Sequence, residues 1–228
     1  MKVIILAAGM GTRLGNLIPK PLTALKNEKT ILDYQISNIT KFFDLHDILI
    51  VVGYKHHLIM EKFPQLIYIY NHEYAQTNTA KSLLYALNKI KDEDILWLNG
   101  DVVFDGELIK LLLECKDSCC LVDNKKCSKE EIKYTQYENG YIKKLSKEVN
   151  FAMGEALGIN LIKKDDLEPF KKELGKVNKN DYFEKALENL TLKNKINLKP
   201  LNSRGLFCHE IDFPEDLEIA KKHINPKY

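Results

Sequence analysis

The first half of the chain alternates short apolar runs with segments whose apolar residues recur at helical spacing. Strands that are apolar on both faces and separated by helices are typical of a parallel sheet covered on each side. We therefore expect an α/β fold with a doubly wound, mostly parallel sheet. The predicted strands span residues 3–8, 47–54, 66–71 and 94–101. The predicted helices span residues 31–43, 58–63, 80–90 and 106–115.

The pattern changes in the second half of the chain. Two alternating stretches flank Asn139 and Gly140, which is a strong signal for a β-hairpin. The final helix is predicted to begin at Pro214, because proline is favoured in the first helical turn. No linker, repeat or low-complexity stretch divides the sequence, so we expect one domain over residues 1–228 with a small antiparallel addition. The other elements predicted here are strands at 118–124, 155–162, 196–202 and 207–213, and helices at 165–174 and 181–189.

Composition excludes several classes of protein. The 34 lysines and arginines nearly balance 32 acidic residues, and a net charge of +2 gives no overall field that would select nucleic acid. No segment reaches the ~20 apolar residues of a membrane span, and the apolar run at the N-terminus is too short for a signal peptide. We expect a cytoplasmic protein with no membrane partner. Five cysteines without paired zinc spacing are interpreted as buried, reduced thiols.

The loop after the first strand, LAAGMGTRL, is the first candidate for chemistry. Gly9 and Gly11 allow close approach of a ligand to the backbone, whose N–H groups can bind an anion, and the guanidinium of Arg13 can add a two-pronged contact. A tight turn with a surface arginine is the alternative. A dinucleotide fingerprint is disfavoured because Leu14 replaces its third glycine, and no Gly-Lys-Ser/Thr of a Walker loop occurs.

LAAGMGTRL followed by PKPL resembles the signature of nucleotidyltransferases that activate phosphorylated sugars, choline and related compounds. The resemblance continues through VVGY, NTAKSL, NGD, ALGI, NDYFEKAL and EID with PEDLEIA. The small size and the lack of a C-terminal repeat domain are most similar to the CTP-using branch, which includes cytidylyltransferases for choline phosphate and for phosphoglutamine. The resemblance implies a nucleotide-binding part over about 1–115 and an acceptor-binding part, with the second metal ligand, over about 116–228.

The implied activity is a Mg²⁺-dependent transfer of CMP from CTP to a small phosphorylated acceptor such as phosphoglutamine. Pyrophosphate would be released, and the product would serve capsule or cell-surface polysaccharide modification. Choline-phosphate cytidylyltransferase and sugar-1-phosphate nucleotidyltransferase are the alternatives within this superfamily. A binding module without catalysis is the alternative from another class. The sequence leaves the oligomeric state open, a homodimer included.

Four ionic residues are the candidate reaction centre, and together they argue against a mere binding module. The resemblance implies that Asp101 and Asp212 bind the metal, since Mg²⁺ prefers carboxylate oxygens, and that Arg13 and Lys20 are catalytic cations. Prolines on both sides of Lys20 restrict its backbone. A turn residue is the alternative for Asp101, and a helix cap before Pro214 is the alternative for Asp212. Asp105 is interpreted as a helix cap.

The substrates need further contacts. The resemblance implies those to the nucleotide, and the chemistry of the acceptor suggests the others, since an amino-acid phosphate needs a cation for its carboxylate and an acid for its amine. Plain surface charge is the alternative for these acceptor candidates, and helix capping equally suits Asn78 or Thr79. The nucleotide-binding candidates are Leu6, Ala8, Gly9, Met10, Gly11, Thr12, Asn78, Thr79, Ser82 and Gly100. The acceptor candidates are Lys133, Glu155, Tyr182 and Arg204.

Overall fold

In the computed structural model of the protein, residues 1–11, 18–125, 127 and 131–224 are described. Strands and helices alternate along these ranges, as the hydrophobic pattern predicts. The strands are β1 Lys2–Ala7, β2 Ile48–Val52, β3 Ile67–Tyr70, β4 Ile95–Asn99, β5 Val102–Phe104, β6 Ser118–Asp123, β7 Lys133–Gln136, β8 Ile142–Ser146, β9 Gly154–Ile162, β10 Leu198–Asn202 and β11 Cys208–Glu210. The helices are α1 Ile31–Ile39, α2 His56–Lys62, α3 Thr79–Leu87, α4 Glu107–Glu114, α5 Lys164–Lys176, α6 Phe183–Leu192 and α7 Pro214–His223.

The main sheet has the strand order β10-β6-β9-β4-β1-β2-β3. β1 runs parallel to both β2 and β4, and β2 runs parallel to β3, whereas β9 is antiparallel to β4 and β6. The chain therefore moves outward from β1 to β3 and then returns to the opposite side of β1 at β4. Ligands of open α/β sheets bind at such a reversal, beyond the carboxyl ends of the strands. The predicted α/β class is confirmed.

One antiparallel hairpin extends this sheet, and a second antiparallel pair of strands forms a sheet of its own. The predicted hairpin is present as β7 and β8, with Gly140 at a φ of +86°, and β7 also pairs with β9. β5 pairs with β11 in a separate two-stranded ribbon. This ribbon joins a segment late in the chain to the turn that follows β4.

Apolar side chains fill both faces of the sheet. Trp97 of β4 is fully buried on one face, with ring centroids 5.4 Å from Phe170 and 5.5 Å from Phe183. Aromatic burial of this kind is worth several kcal/mol per side chain, so these contacts fix helices α5 and α6 on the sheet. The predicted cysteine burial holds for Cys115, Cys119, Cys120 and Cys208, while Cys127 is half-buried and all five thiols are free.

No helix within the described ranges combines the length and the apolar character needed to cross a lipid bilayer.

The strand predicted over 94–101 ends in a turn at Gly100 and Asp101, and the short strand β5 that follows this turn was not predicted. β4 ends at Asn99, and the amide of Gly100 donates to the carbonyl of Leu6 at 2.9 Å. A Cβ at position 100 would lie 2.7 Å from that same carbonyl oxygen, so only glycine fits. The amide of Gln35 in α1 donates to the carbonyls of Asn99 and Val102, at 2.9 and 2.8 Å, and holds both sides of the turn.

The interpretation of Asp105 as a helix cap is wrong. Gly106 is the N-cap residue of α4, and no side chain of the described residues caps this helix end with a hydrogen bond. The carboxylate of Asp105 instead accepts a hydrogen bond from the amide of Phe207 at 2.9 Å and contacts His223 Nε2 at 2.9 Å. These contacts fasten the segment after β10 to the end of β5.

Candidate active site

A cleft of about 580 Å³ opens at the carboxyl ends of β1 and β4. Its walls come from the loop after β1, the β4–β5 turn, the start of α3, strand β9, the start of α6 and the connection from β11 to α7. Both halves of the chain thus contribute to one concave site. This is the place where the strand order reverses.

The glycines of the first loop leave the cleft open to a close ligand. A Cβ added at Gly9 would meet nothing within 4 Å, so the backbone faces free space. Gly11 has a φ of +61°, in the left-handed region that other residues adopt at a cost. A Cβ there would approach Lys20 Cβ to 3.1 Å. Lys20 therefore lies against the backbone of Gly11 at the cleft wall.

Lys20 connects the two predicted metal ligands. Its Nζ donates to Asp101 Oδ2 at 2.6 Å and to Asp212 Oδ1 at 2.7 Å. Burial opposes the charge of this ammonium, but the charges and hydrogen bonds of the two carboxylates outweigh it and raise the pKa of Lys20 above its ordinary value. Three of the four residues predicted for the reaction centre therefore converge in space.

Backbone pairing holds Asp101 against the late segment of the chain. In the ribbon of β5 and β11, Val102 is opposite Glu210, and the amide of Ile211 donates to the carbonyl of Asp101 at 3.0 Å. This pairing explains how residues more than a hundred positions apart in sequence meet. It also places Asp212 directly after the ribbon.

Asp216 positions the segment that carries Asp212. The carboxylate of Asp216 accepts hydrogen bonds from the backbone amides of Asp212 and Phe213, at 2.9 and 2.8 Å. Because Phe213 is the N-cap of α7, Asp216 satisfies the amides at this helix end. The cap alternative for Asp212 does not hold, and its carboxylate points to Lys20.

A third carboxylate, Glu210, was missed from the sequence. Glu210, Asp101 and Asp212 each offer an oxygen, and these atoms lie within 4.8 Å of one another. The charge of Asp101, together with that of Asp212, raises the pKa of Glu210 well above its ordinary value. Glu210 and Asp212 are two residues apart at a strand end, and that period-two spacing is a signal that could have found the pair.

These carboxylates fit a divalent cation of the magnesium type. Oδ1 of Asp101 is buried and has no hydrogen-bond partner within the part of the chain that the structure describes. A buried oxygen without a partner is costly, and a cation would satisfy it. Hard cations such as Mg²⁺ take carboxylate oxygens as ligands. Asp101, Glu210 and Asp212 are therefore the residues that could hold the metal.

Some of the predicted nucleotide-binding residues line the cleft. Asn78 and Thr79 also hold the wall together: Asn78 Oδ1 accepts from the amide of Thr79 at 2.8 Å, and Thr79 Oγ1 accepts from the amide of Phe183 at 3.2 Å. Ser82 is buried, and its hydroxyl accepts from Asn71 Nδ2 at 3.0 Å. The candidates that line the cleft are Leu6, Gly9, Gly11, Asn78, Thr79 and Gly100.

Four other candidates are placed differently. Ala8 is buried and its carbonyl accepts from the amide of Tyr54 at 3.1 Å, while Met10 is exposed. Neither residue is part of the cleft wall in the described ranges. Thr12 and Arg13 lie outside the described residues.

Two of the four acceptor candidates reach the cleft, namely Glu155 and Tyr182. Lys133 does not line it, and its Nζ donates to the carbonyl of Lys147 at 3.0 Å. Arg204 is an exposed residue of the turn after β10, with a φ of +56° and its amide donating to Asn202 Oδ1 at 2.7 Å. Neither Lys133 nor Arg204 is thus part of the cleft wall in the described ranges.

Two buried acids line the cleft. Glu155 is 4% exposed, and its Oε1 lies 2.8 Å from Lys125 Nζ. Glu184, in the first turn of α6, is 5% exposed. Burial raises the pKa of each carboxyl to about 7. Glu184, Lys125 and Lys147 also line the cleft but were not among the sequence candidates. Glu184 lies in NDYFEKAL, one of the segments that carry the resemblance, so that segment is a signal that could have found it.

Comparison with known proteins agrees with this geometry. A family model described as the MobA-like NTP transferase domain matches residues 3–150. The chain belongs to this family, and it is a nucleotidyltransferase that resembles cytidylyltransferases. The CTP:phosphoglutamine cytidylyltransferase of Campylobacter jejuni is 29% identical to it over 253 positions, covering 96% of this chain and 98% of that protein.

Two solved structures share the fold. The CTP:phosphocholine cytidylyltransferase of Streptococcus pneumoniae superposes with a TM-score of 0.75 at 19% identity, over 97% of each chain. The inositol-1-phosphate CTP transferase of T. maritima superposes with a TM-score of 0.79 at 15% identity, over 98% of this chain and 97% of the other. At these identities the comparison shows the fold alone.

Proposed function

We propose that the protein transfers CMP from CTP to a small phosphorylated acceptor, with phosphoglutamine or a similar amino-acid phosphate as the acceptor and Mg²⁺ as the cofactor. The convergence of Lys20, Asp101 and Asp212 beside the glycine loop is the observation that carries this proposal. Likeness over nearly the whole length of a phosphoglutamine cytidylyltransferase supports the acceptor class. Such a product would serve the modification of capsule or another cell-surface polysaccharide.

The reaction requires two polyanions to meet. A phosphate oxygen of the acceptor attacks the α-phosphorus of CTP, the bond to the bridging oxygen breaks, and pyrophosphate leaves. Positioning and positive charge supply most of the catalysis in such transfers. The glycine loop lets the triphosphate approach the backbone, and the Lys20 ammonium stabilises charge on the transferred phosphoryl group. Arg13 is proposed to add a second cation there.

Asp101, Glu210 and Asp212 would hold the metal. When bound, Mg²⁺ neutralises phosphate charge and polarises the oxygens that it contacts. Asp216 keeps the Asp212 segment in place through its two amide contacts. Leu6, Gly100, Asn78 and Thr79 are proposed to surround the nucleotide from the other side of the cleft.

The acceptor end has the charges that an amino acid requires. Glu155 and Glu184 offer carboxylates for its ammonium group, and Lys125 and Lys147 offer ammonium groups for its carboxylate. The ring of Tyr182 lies in the same wall, 5.2 Å from Lys147 Nζ. A hexose acceptor would instead call for many neutral hydroxyl partners.

Pyrophosphate release tests the proposal directly. The purified protein with Mg²⁺ is offered CTP, UTP, GTP or dTTP together with phosphoglutamine, phosphocholine or glucose 1-phosphate. We expect turnover with CTP and the amino-acid phosphate. Turnover confined to UTP or dTTP with glucose 1-phosphate would overturn the cytidylyl assignment, and turnover with phosphocholine alone would overturn the acceptor class.

A further inference from the structure

Glu184 is a buried carboxylate without a full set of partners. It is 5% exposed, it lines the cleft, and its Oε2 has no hydrogen-bond partner among the residues that the structure describes. Removing a carboxylate from water without pairing it costs several kcal/mol. The burial of the Glu184 carboxylate is explained if a bound ligand supplies the missing partner.

The backbone that carries Glu184 is firmly held. Its neighbour Phe183 packs edge-on against Trp97 at 5.5 Å, and the amide of Phe183 donates to Thr79 Oγ1 at 3.2 Å. The start of α6 is therefore fixed to the sheet and to α3. Glu184 cannot reach solvent without breaking these contacts, so its carboxylate stays at the cleft wall.

The surroundings favour a positively charged ligand. Glu155 lies in the same wall and is also buried, and its carboxyl faces that of Glu131 and pairs through Oε1 with Lys125. The charge of Lys147 acts on Glu184. Lys147 Nζ lies 5.2 Å from the ring centroid of Tyr182, so this wall already accommodates a cation.

We propose that the acceptor carries an ammonium group and that the Glu184 carboxylate binds it directly. The inference rests on the proposed function and adds to it the residue that selects the acceptor. An acid in the first turn also stabilises a helix, which is the purely structural explanation for Glu184. The two explanations differ in one respect: only a ligand contact makes acceptor choice depend on this charge.

The test uses two pairs of acceptors that differ in charge alone. Phosphoglutamine is compared with its analogue lacking the amino group, and phosphocholine is compared with 3,3-dimethylbutyl phosphate, its neutral isostere. Glu184→Gln keeps the shape of the side chain and removes the charge. For the wild type we expect the charged member of the preferred pair to have a kcat/KM roughly 10–100 times that of the neutral member. This is the size of effect expected from a direct interaction between two charged groups.

In Glu184→Gln we expect the KM of the charged acceptor to rise by about the same factor and the preference to disappear, while the KM for CTP stays unchanged. Glu188→Gln is the matched control. Glu188 is buried on the same helix, its carboxylate accepts from the amide of Leu145 at 3.2 Å and from Lys185 Nζ at 2.9 Å, and it does not line the cleft. A general loss of helix stability would affect both variants alike.

Equal use of charged and neutral acceptors by the wild type would overturn the proposal, as would an unchanged preference in Glu184→Gln. Where turnover is low, calorimetric binding of the four acceptors to the wild type and to Glu184→Gln measures the same preference. Failure of the proposed function is distinguishable, because it would appear as no pyrophosphate release from CTP with any acceptor while the binding preference for an ammonium group remains.

Discussion

The two ends of the cleft handle charge in different ways. At the end proposed to bind CTP, the Lys20 ammonium contacts Asp101 and Asp212, while Oδ1 of Asp101 has no hydrogen-bond partner in the described ranges. At the end proposed to bind the acceptor, Oε2 of Glu184 is buried without such a partner. The first end therefore offers several carboxylates to a metal with one lysine among them, whereas the second offers a single buried carboxylate oxygen to a ligand. We therefore expect the first end to govern the transfer step and the second to govern acceptor choice.

The greatest loss of activity is expected at the CTP end. Asp101→Asn keeps the size of the side chain and removes a charged metal ligand, so we expect kcat to fall by about 10³-fold or more. The KM of the acceptor should change little. Steady-state pyrophosphate release measures both constants.

Asp105→Asn is the control for this variant. Asp105 contacts Phe207 and His223 and does not line the cleft, so its replacement should leave kcat within a few-fold of the wild type. If the kcat of Asp101→Asn were close to that of Asp105→Asn, Asp101 would not be part of the reaction centre.

Lys20→Met should lower kcat/KM for CTP by about 10²-fold, because it removes a cation near the transferred phosphoryl group. It also leaves the carboxylates of Asp101 and Asp212 without their shared cation. We therefore expect the melting temperature of the variant to rise more with added Mg²⁺ than that of the wild type. Equal shifts in calorimetry would show that Lys20 does not share the space of the metal ligands.

The buried carboxyl of Glu184 should make the free energy of unfolding depend on pH. Burial raises the pKa of Glu184 to about 7, above the ~4.3 of an unfolded glutamate. The stability contributed by holding this proton is fully present below the unfolded pKa and is lost as pH rises through 7. Denaturant titrations of the ligand-free protein should thus show Glu184→Gln gaining about 3 kcal/mol over the wild type between pH 4.5 and 8. A constant difference across this range would contradict a buried, titrating carboxyl.

The mildest defect is expected for Asp216→Asn. This variant weakens the two amide contacts that position the Asp212 segment but leaves every proposed ligand in place. We expect kcat to fall about fivefold, with the KM for CTP unchanged, because positioning errors of this kind reduce reaction more than binding. A loss as large as that of Asp101→Asn would make Asp216 a direct ligand.

The main lines of the fold followed from the hydrophobic pattern. The spacing of apolar residues indicates the buried strands and the amphipathic helices, and this signal lies within each short segment of the sequence. The short strand β5 was missed, because it depends on pairing with β11 late in the chain and on the clamp from Gln35. Such contacts join distant segments, and no local pattern contains them.

The same distinction separates the predicted site residues. Lys20, Asp101 and Asp212 belong to a family signature, and the structure brings them together. Glu184 lies in NDYFEKAL, another segment of that resemblance, but its importance arises from burial beside a cleft that exists only once α6 packs on Trp97. Arg204 was chosen as a cation for the carboxylate of the acceptor, and residue type alone does not tell where a side chain lies in the fold.

The proposed chemistry requires Asp101 and Asp212 to hold a divalent metal on the phosphates of CTP, with Lys20 beside them. Anomalous diffraction from crystals grown with Mn²⁺ and a non-hydrolysable CTP analogue tests this requirement most directly. We expect a manganese peak ligated by both carboxylates and by phosphate oxygens, with the triphosphate against Gly9 and Gly11. A peak ligated elsewhere, or a nucleotide bound away from this loop, would contradict the proposed site.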